Sequence, residues 1–246
     1  MAERDGGLAG IYRWAELYED VYSGRGKDYA ADAERVTAIV RERRPGAATL
    51  LDVACGTGAH LRHLADRFDT VEGVDLAEDM LRVALERLPG TALHTGDMRD
   101  FRLGRRFDAV TCMFSSIGYT GGAEGVRASL ASFARHLVPG GVIVLEPWYF
   151  PETALDRHVV ADTFTVGRKT ISRVSRAVLE DGAHRMEVHY IVADRETGIR
   201  HFTDEHVLAV IARDTYERAF EEAGCAVEYL PGDGPGLFVG VAKGGG

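Results

Sequence analysis

Basic charge is scarce in this 246-residue chain, where 29 Lys and Arg against 38 Asp and Glu leave a formal net charge of −9. The cations are scattered and form no stripe or cluster, so the electrostatic footprint of a nucleic-acid partner is missing. Long apolar runs are missing too. Runs such as Val142 to Leu145 are far too short to span a membrane, and Met1 to Gly7 has no apolar signal core. The expected setting is the cytoplasm, with no membrane partner. Cysteines number only 3, Cys55, Cys112 and Cys225, in apolar contexts and without metal-ligand spacing. That excludes a disulfide framework and a cysteine-based metal site, and it predicts buried free thiols in a reducing compartment. Internal repeats and low-complexity segments are absent.

The rest is ordinary for a soluble globular protein: 46% apolar and 27% charged residues, with Gly somewhat high at 29. This length suits one large α/β domain, residues 1–246, with a well-filled core and no separately folding second domain.

One stretch organises the chain. Leu50 to Leu61 runs from an apolar strand, through a glycine-rich turn, into a helical pattern. Gly56 and Gly58 let the backbone bend sharply and approach a ligand closely. The pattern is Asp52-x-Ala54-x-Gly56-x-Gly58, which is not the dinucleotide fingerprint. A carboxylate at Asp52 would repel a pyrophosphate and attract the ammonium of a methionine moiety. A second strand, 71–75, ends in Asp75 about 20 residues past the glycines, where a carboxylate holds ribose hydroxyls. Together these predict an S-adenosylmethionine site.

Along the chain, residues 11–22 place Trp14, Tyr18 and Tyr22 on one helical face. With the turn at Gly24 and Gly26, residues 8–26 read as an N-terminal lid, or as a packing helix. A helix follows over 29–43, ended by Pro45. Helices over 59–68, 77–88 and 123–137 then alternate with strands at 70–74, 92–94, 107–114 and 142–146. This predicts a doubly wound parallel sheet. Its ligand crevice lies at the carboxyl ends of the strands, ringed by Gly56, Gly58, Asp75, Asp97, Met113 to Ser116 and Glu146. Over 163–211 the pattern changes to three alternating strands, an appended antiparallel sheet that supplies an acceptor wall. One face is expected to carry Val174, Val178, Met186, Val188, Tyr190 and Val192, and the polar face Arg173, Ser175, Arg185, Glu187 and His189. A helix over 214–223 and a closing hairpin complete the chain.

The motifs Gly26 to Tyr29, Leu51 to Gly58, Gly96 to Phe101, Ala109 to Gly118, Glu146 to Trp148 and Ser172 to Ser175 carry a resemblance. In this order they resemble the class I S-adenosylmethionine-dependent methyltransferases across essentially the whole chain, with the hairpin supplying the reversed last strand of a seven-stranded, mostly parallel sheet. In detail they are similar to the dTDP-3-amino-3,6-dideoxyhexose N,N-dimethyltransferases of macrolide aminosugar biosynthesis. The resemblance implies that Gly56 and Gly58 abut the cofactor, Asp75 takes the ribose, Asp97 and Met98 hold the adenine, and Met113 with Phe114 flanks the sulfonium. Asp52, Ala54, Tyr18 and Tyr22 complete that set. The acceptor, a nucleotide sugar, is expected against Tyr12, Ser116, Trp148, Tyr149, Arg173, Ser175 and Tyr216. Tyr119 and Glu146 are candidate proton acceptors for the amine, and a homodimer is implied. The chain departs from the family at Tyr119, where relatives carry His, and at Pro235, where they carry Arg. Rival readings are methylation of a sugar hydroxyl, methylation of a small amine, and a non-catalytic S-adenosylmethionine-binding module.

Overall fold

Apolar strands that are buried on both faces must be covered on both sides, and helices of this chain do that covering. The computed structural model describes residues 15–232 and 234–244. Five strands, β1 (Thr49–Val53), β2 (Thr70–Asp75), β3 (Ala92–Thr95), β4 (Phe107–Cys112) and β5 (Leu137–Leu145), pair in parallel in the order β5-β4-β1-β2-β3. The last two strands, β10 (Cys225–Leu230) and β11 (Leu237–Ala242), close the sheet, with β11 antiparallel to β5. The helices are α1 (Ala15–Gly24), α2 (Tyr29–Arg43), α3 (Leu61–Ala65), α4 (Glu78–Arg87), α5 (Ala123–Arg135) and α6 (Arg213–Glu222). Chain order turns back between β1 and β4, so the crevice opens above their carboxyl ends.

Local chemistry sets the boundaries. Asp28 caps α2 by accepting from the Ala30 and Ala31 amides, worth about 1 kcal/mol, and Arg44 ahead of Pro45 leaves helical geometry. One face of the sheet is packed by Val36, Val40, Leu61 and Leu64. The other is packed by Leu130, Phe133, Tyr216 and Phe220. The thiols of Cys55, Cys112 and Cys225 are buried and free.

Four strands form the second sheet, one more than the alternation predicts: β6 (His158–Val166), β7 (Lys169–Glu180), β8 (Ala183–Asp194) and β9 (Gly198–Ala209), all antiparallel. β6 is an edge strand with half or more of its positions open to solvent, so it offers little apolar alternation to read. β5 also begins early, at Leu137, because Pro139 and Gly140 sit in a bulge where the register passes from Phe107 opposite Leu137 to Ala109 opposite Val142.

The face assignment in β7 is reversed. Arg173 stands opposite Tyr190, and Ser175 opposite Val188, so these polar residues share the buried face. Val174 lies on the other face, 47% exposed. A one-residue error of parity moves every side chain across a strand. The buried face packs Ile171, Val188, Tyr190 and Val192 against Leu17 and Val21 of α1. Helix α1 therefore lies between the two sheets. Gly24, read as a hinge, is a close-approach position, since a Cβ there would run into the Phe164 ring. Trp14 and Tyr12 lie outside the described residues.

Candidate active site

Three residues at the crevice hold left-handed backbone without being glycine: Ala54 (φ 57°) after β1, and Phe114 (φ 56°) and Ser115 (φ 59°) after β4. Each costs on the order of 1–2 kcal/mol, so the surroundings must hold it. For the β4 end the holders are visible. The Phe114 amide donates to the Glu146 carboxylate at 2.8 Å, and Ser115 Oγ donates to the Pro147 carbonyl at 2.7 Å. Lys27 Nζ lies 4.0 Å from Glu146, 2.7 Å from Asp32 and 4.6 Å from the Phe114 ring centre. Burial alone would raise the Asp32 carboxyl, but hydrogen bonds from His60 and Lys27 hold it down to about 2.

The β1 side forms a cradle. Gly56 has φ 57° and nothing within 4 Å of where a Cβ would stand, so the backbone there faces open space. Gly58 answers to packing, since a Cβ would press on Leu88. Asp75 receives the Gly56 amide at 2.7 Å and the Ala77 amide at 2.8 Å, while burial pushes its carboxyl up. Leu76 beside it is 52% exposed. Two buried hydroxyls near the turn, Thr57 Oγ1 and Tyr29 Oη, have no partner among the described residues. An open glycine backbone, an acid at the neighbouring strand end, an exposed apolar side chain and orphan hydroxyls fit an adenosine cofactor with a charged amino-acid tail. Tyr18 and Tyr22 of α1 pack beside Phe114 at this crevice. Their rings lie 4.6 Å apart, and Tyr22 meets Phe114 edge-on at 4.7 Å.

Several expected positions differ. Asp52 lies in β1, ahead of the turn, 2% exposed and bound to Thr111 Oγ1 at 2.7 Å, so it does not face an ammonium in the crevice. Burial pushes its carboxyl up to about 6. Tyr216 is 1% exposed and stacked on Phe238 in the core, not on an acceptor wall. Glu146 is a backbone acceptor that steadies Phe114. Asp97 is held by its neighbour Arg99, whose guanidinium lowers its carboxyl, with Met98 half-buried beside it. Met113 is buried, and Ser116 Oγ donates to its carbonyl at 3.1 Å. Trp148 is half-buried, its indole donating to His184 at 3.0 Å, whereas Tyr149 is exposed. Arg173, 4% exposed, donates to Ser175 Oγ at 2.8 Å and leaves its Nε without a hydrogen bond among the described residues.

Sequence reasoning gave no site role to Thr57, Tyr29 or Lys27. It also missed Asp204 and His206, two apart on β9 and buried. Tyr119 Oη lies 2.7 Å from His206 Nδ1. A signal existed for the last pair, since alternate polar residues opposite an apolar strand mark either a wet face or a buried polar cluster, and periodicity alone cannot separate these.

A doubly wound sheet with a reversed last strand and this crevice defines the class: a methyltransferase fold of class I. The family model described as "Methyltransferase domain" matches residues 50–141. Over 229 residues the chain is 54% identical to a dTDP-3-amino-3,4,6-trideoxy-alpha-D-glucopyranose N,N-dimethyltransferase of Streptomyces venezuelae, covering 92% of this chain and 97% of that one. It is 44% identical to a dTDP-4-amino-2,3,4,6-tetradeoxy-D-glucose N,N-dimethyltransferase of Saccharopolyspora spinosa, with 92% of each covered. Among solved structures, S-adenosylmethionine-bound CalS10, an amino pentose methyltransferase from Micromonospora echinaspora, superposes with a TM-score of 0.86 at 44% identity, covering 99% of this chain and 100% of that one. The chain belongs to the family of dTDP-aminosugar N,N-dimethyltransferases, and it is an enzyme that uses S-adenosylmethionine. No helix among the described residues is long and apolar enough to cross a membrane.

Proposed function

We propose that this enzyme methylates the amino nitrogen of a dTDP-linked deoxyaminosugar in antibiotic biosynthesis, in the cytoplasm. The observation that carries this reading is full-length similarity, appended sheet included, to enzymes named for dTDP-aminosugars whose amino group stands at C3 in one and C4 in another. When bound, S-adenosylmethionine supplies an electrophilic methyl on a sulfonium. The residues have mainly to align the acceptor nitrogen with that methyl and exclude water. Ala54, Gly56 and Gly58 would bear on the cofactor through backbone, Asp75 on its ribose, Asp97, Met98 and Leu76 on its base, and Met113 and Phe114 on its reactive end, beneath Tyr18 and Tyr22. On the acceptor side stand Ser116, Tyr119, Trp148 and Tyr149, with Tyr12 expected from the segment outside the described residues. Arg173, with a buried and incompletely bonded guanidinium, would draw the diphosphate toward the face where α1 meets the second sheet.

Residues 8–26 would act as a lid, supported by α1 spanning both sheets. Hydrogen exchange in α1 should slow when S-adenosylhomocysteine binds, and equal protection in both states would remove the lid. A homodimer is also proposed, supported by Val159, Val174, Ile191 and Val207, all 47–60% exposed on the second sheet. The deciding experiment incubates enzyme and S-adenosylmethionine with dTDP-aminosugars bearing C3 or C4 amines. Gains of one or two methyl masses support the reading, and methylation of hydroxyl analogues alone would replace it.

A further inference from the structure

A buried acid and imidazole on β9 of the appended sheet meet Tyr119 at the crevice rim. Tyr119 stands on the 3-10 turn Ser116–Thr120 that follows β4, with 39% of its surface open. That turn follows directly on Phe114 and Ser115 at the β4 end, so Tyr119 stands at the rim of the same crevice. Its hydroxyl is 2.7 Å from His206 Nδ1, and the far ring nitrogen of His206 is 3.3 Å from the Asp204 carboxylate. The His206 and Asp204 side chains are 3% and 0% exposed. Asp204 and His206 are two apart on β9, so they share the buried face. Across that face Met186 stands opposite His206, and Val188 opposite Asp204. Beyond them lie Arg173, which touches Met186 Sδ at 3.8 Å, and Tyr190, while Tyr22 of α1 feels both Arg173 and Asp204. Asp204 is thus the acid beside the imidazole, Arg173 the cation further off, and Tyr119 the group on the crevice side.

We propose that His206, beside the Asp204 carboxylate, takes up through the Tyr119 hydroxyl the proton that the acceptor's ammonium must lose before methylation. The proposal rests on the reading of the acceptor as an amine. An ammonium has no lone pair, so an N–H bond must break first. Tyr119 Oη accepts that proton from nitrogen while its own O–H proton passes to His206 Nδ1, leaving a neutral amine, a neutral phenol and an imidazolium beside the Asp204 carboxylate. No charge is created overall, because the positive charge moves from substrate to imidazole. His206 Nε2 makes no hydrogen bond among the described residues, but the Asp204 charge 3.3 Å away favours the neutral ring with its proton on that nitrogen, which leaves Nδ1 to accept. After product leaves, the proton returns through the half-open Tyr119 to solvent, and the relay is ready for a second methyl. Tyr119 is the catalytic residue in this scheme, and His206 and Asp204 are positioning and storage residues behind it.

Two measurements test it. In the pH profile of kcat/KM, His206→Gln and Tyr119→Phe should lose on the order of 100-fold at pH 7, the usual size of a general-base contribution, and approach the parent near pH 10, where solvent deprotonates the amine unaided. A uniform loss at every pH, or no loss, overturns the relay. Tyr119→Phe removes one hydroxyl from a side chain that is 39% exposed, so it keeps the test open should His206→Gln misfold. The second measurement needs no turnover. Nitrogen-15 spectra of the whole enzyme with the His206 ring neutral should place the ring proton on Nε2, and a proton on Nδ1 would overturn the proposal. If the parent methylates no dTDP-aminosugar, the substrate reading fails by itself, and the tautomer still decides the relay.

Discussion

The two sheets handle buried polarity in opposite ways. In the seven-stranded sheet, the carboxylates near the crevice end on neighbouring donors: Asp75 on the Gly56 and Ala77 amides, Glu146 on the Phe114 amide, Asp52 on the Thr111 hydroxyl. In the four-stranded sheet, Arg173, Asp204 and His206 are buried on one face beside incompletely bonded atoms, Arg173 Nε and Tyr190 Oη among them. The first arrangement uses charge to fix backbone shape. The second keeps charge in reserve, since a buried cation with unfilled donors gains most when an anion arrives.

The comparison breaks most readily at Asp75. Asp75→Ala should weaken S-adenosylhomocysteine binding by about 3 kcal/mol or more, roughly a 150-fold rise in Kd, if two charge-assisted bonds to ribose are lost. Calorimetric titration reads this directly, and an unchanged Kd would leave Asp75 a purely structural clamp of the turn.

Asp52 tests the same sheet through stability. Its carboxyl titrates near about 6 when folded, against about 3.9 when unfolded, so between those values the native state binds more protons. Stability should therefore fall as pH rises from about 4 to above 6, by roughly 3 kcal/mol. Asp52→Asn keeps the shape and removes the ionisation, so its Tm advantage over the parent should be near zero at pH 4 and about 5–10 °C at pH 7.5. A constant difference across that range would mean the carboxylate is compensated after all.

For the second sheet, Arg173→Met keeps the volume and removes the charge. The fold should be unharmed, because exchanging an incompletely paired buried cation for an apolar chain is commonly neutral or stabilising. The acceptor KM should rise about 10- to 150-fold, with cofactor affinity unchanged. A lower Tm with an unchanged KM would instead make Arg173 a structural residue. The smallest expected effect is on the opposite face of the same strand. Arg176→Ala, at an exposed position, should alter stability by less than about 0.5 kcal/mol and leave both binding constants alone. Urea melts and steady-state kinetics on the pair Arg173 and Arg176 would show whether face, and not residue type, decides function.

How much was legible follows the same division. The central strands of the seven-stranded sheet were readable because they are buried on both faces over most of their length and their ends carry glycine, proline or an acid. The β1 turn, α2 and the closing hairpin stand where the pattern placed them. Asp75 and Gly56 were assigned to the crevice because a carboxylate and a bare backbone at a strand end have few other uses, and the Gly56 amide does donate to the Asp75 carboxylate. Asp52 and Tyr216 were misplaced because sequence gives proximity to a motif and not depth below a surface. In the second sheet a polar residue on the buried face is indistinguishable, along the chain, from one in water. That is why Val174 and Arg173 exchanged faces and why His206 drew no notice.

The sequence by itself determined the order of elements, the glycine turn and the family, since these depend on local periodicity, backbone freedom and motif content. Only the tertiary structure decided which face of β7 is inside, that α1 seals the space between the sheets, and that Tyr119, His206 and Asp204 meet. His206 and Tyr119 lie 87 positions apart, and contact over such a separation is set by how the sheets pack.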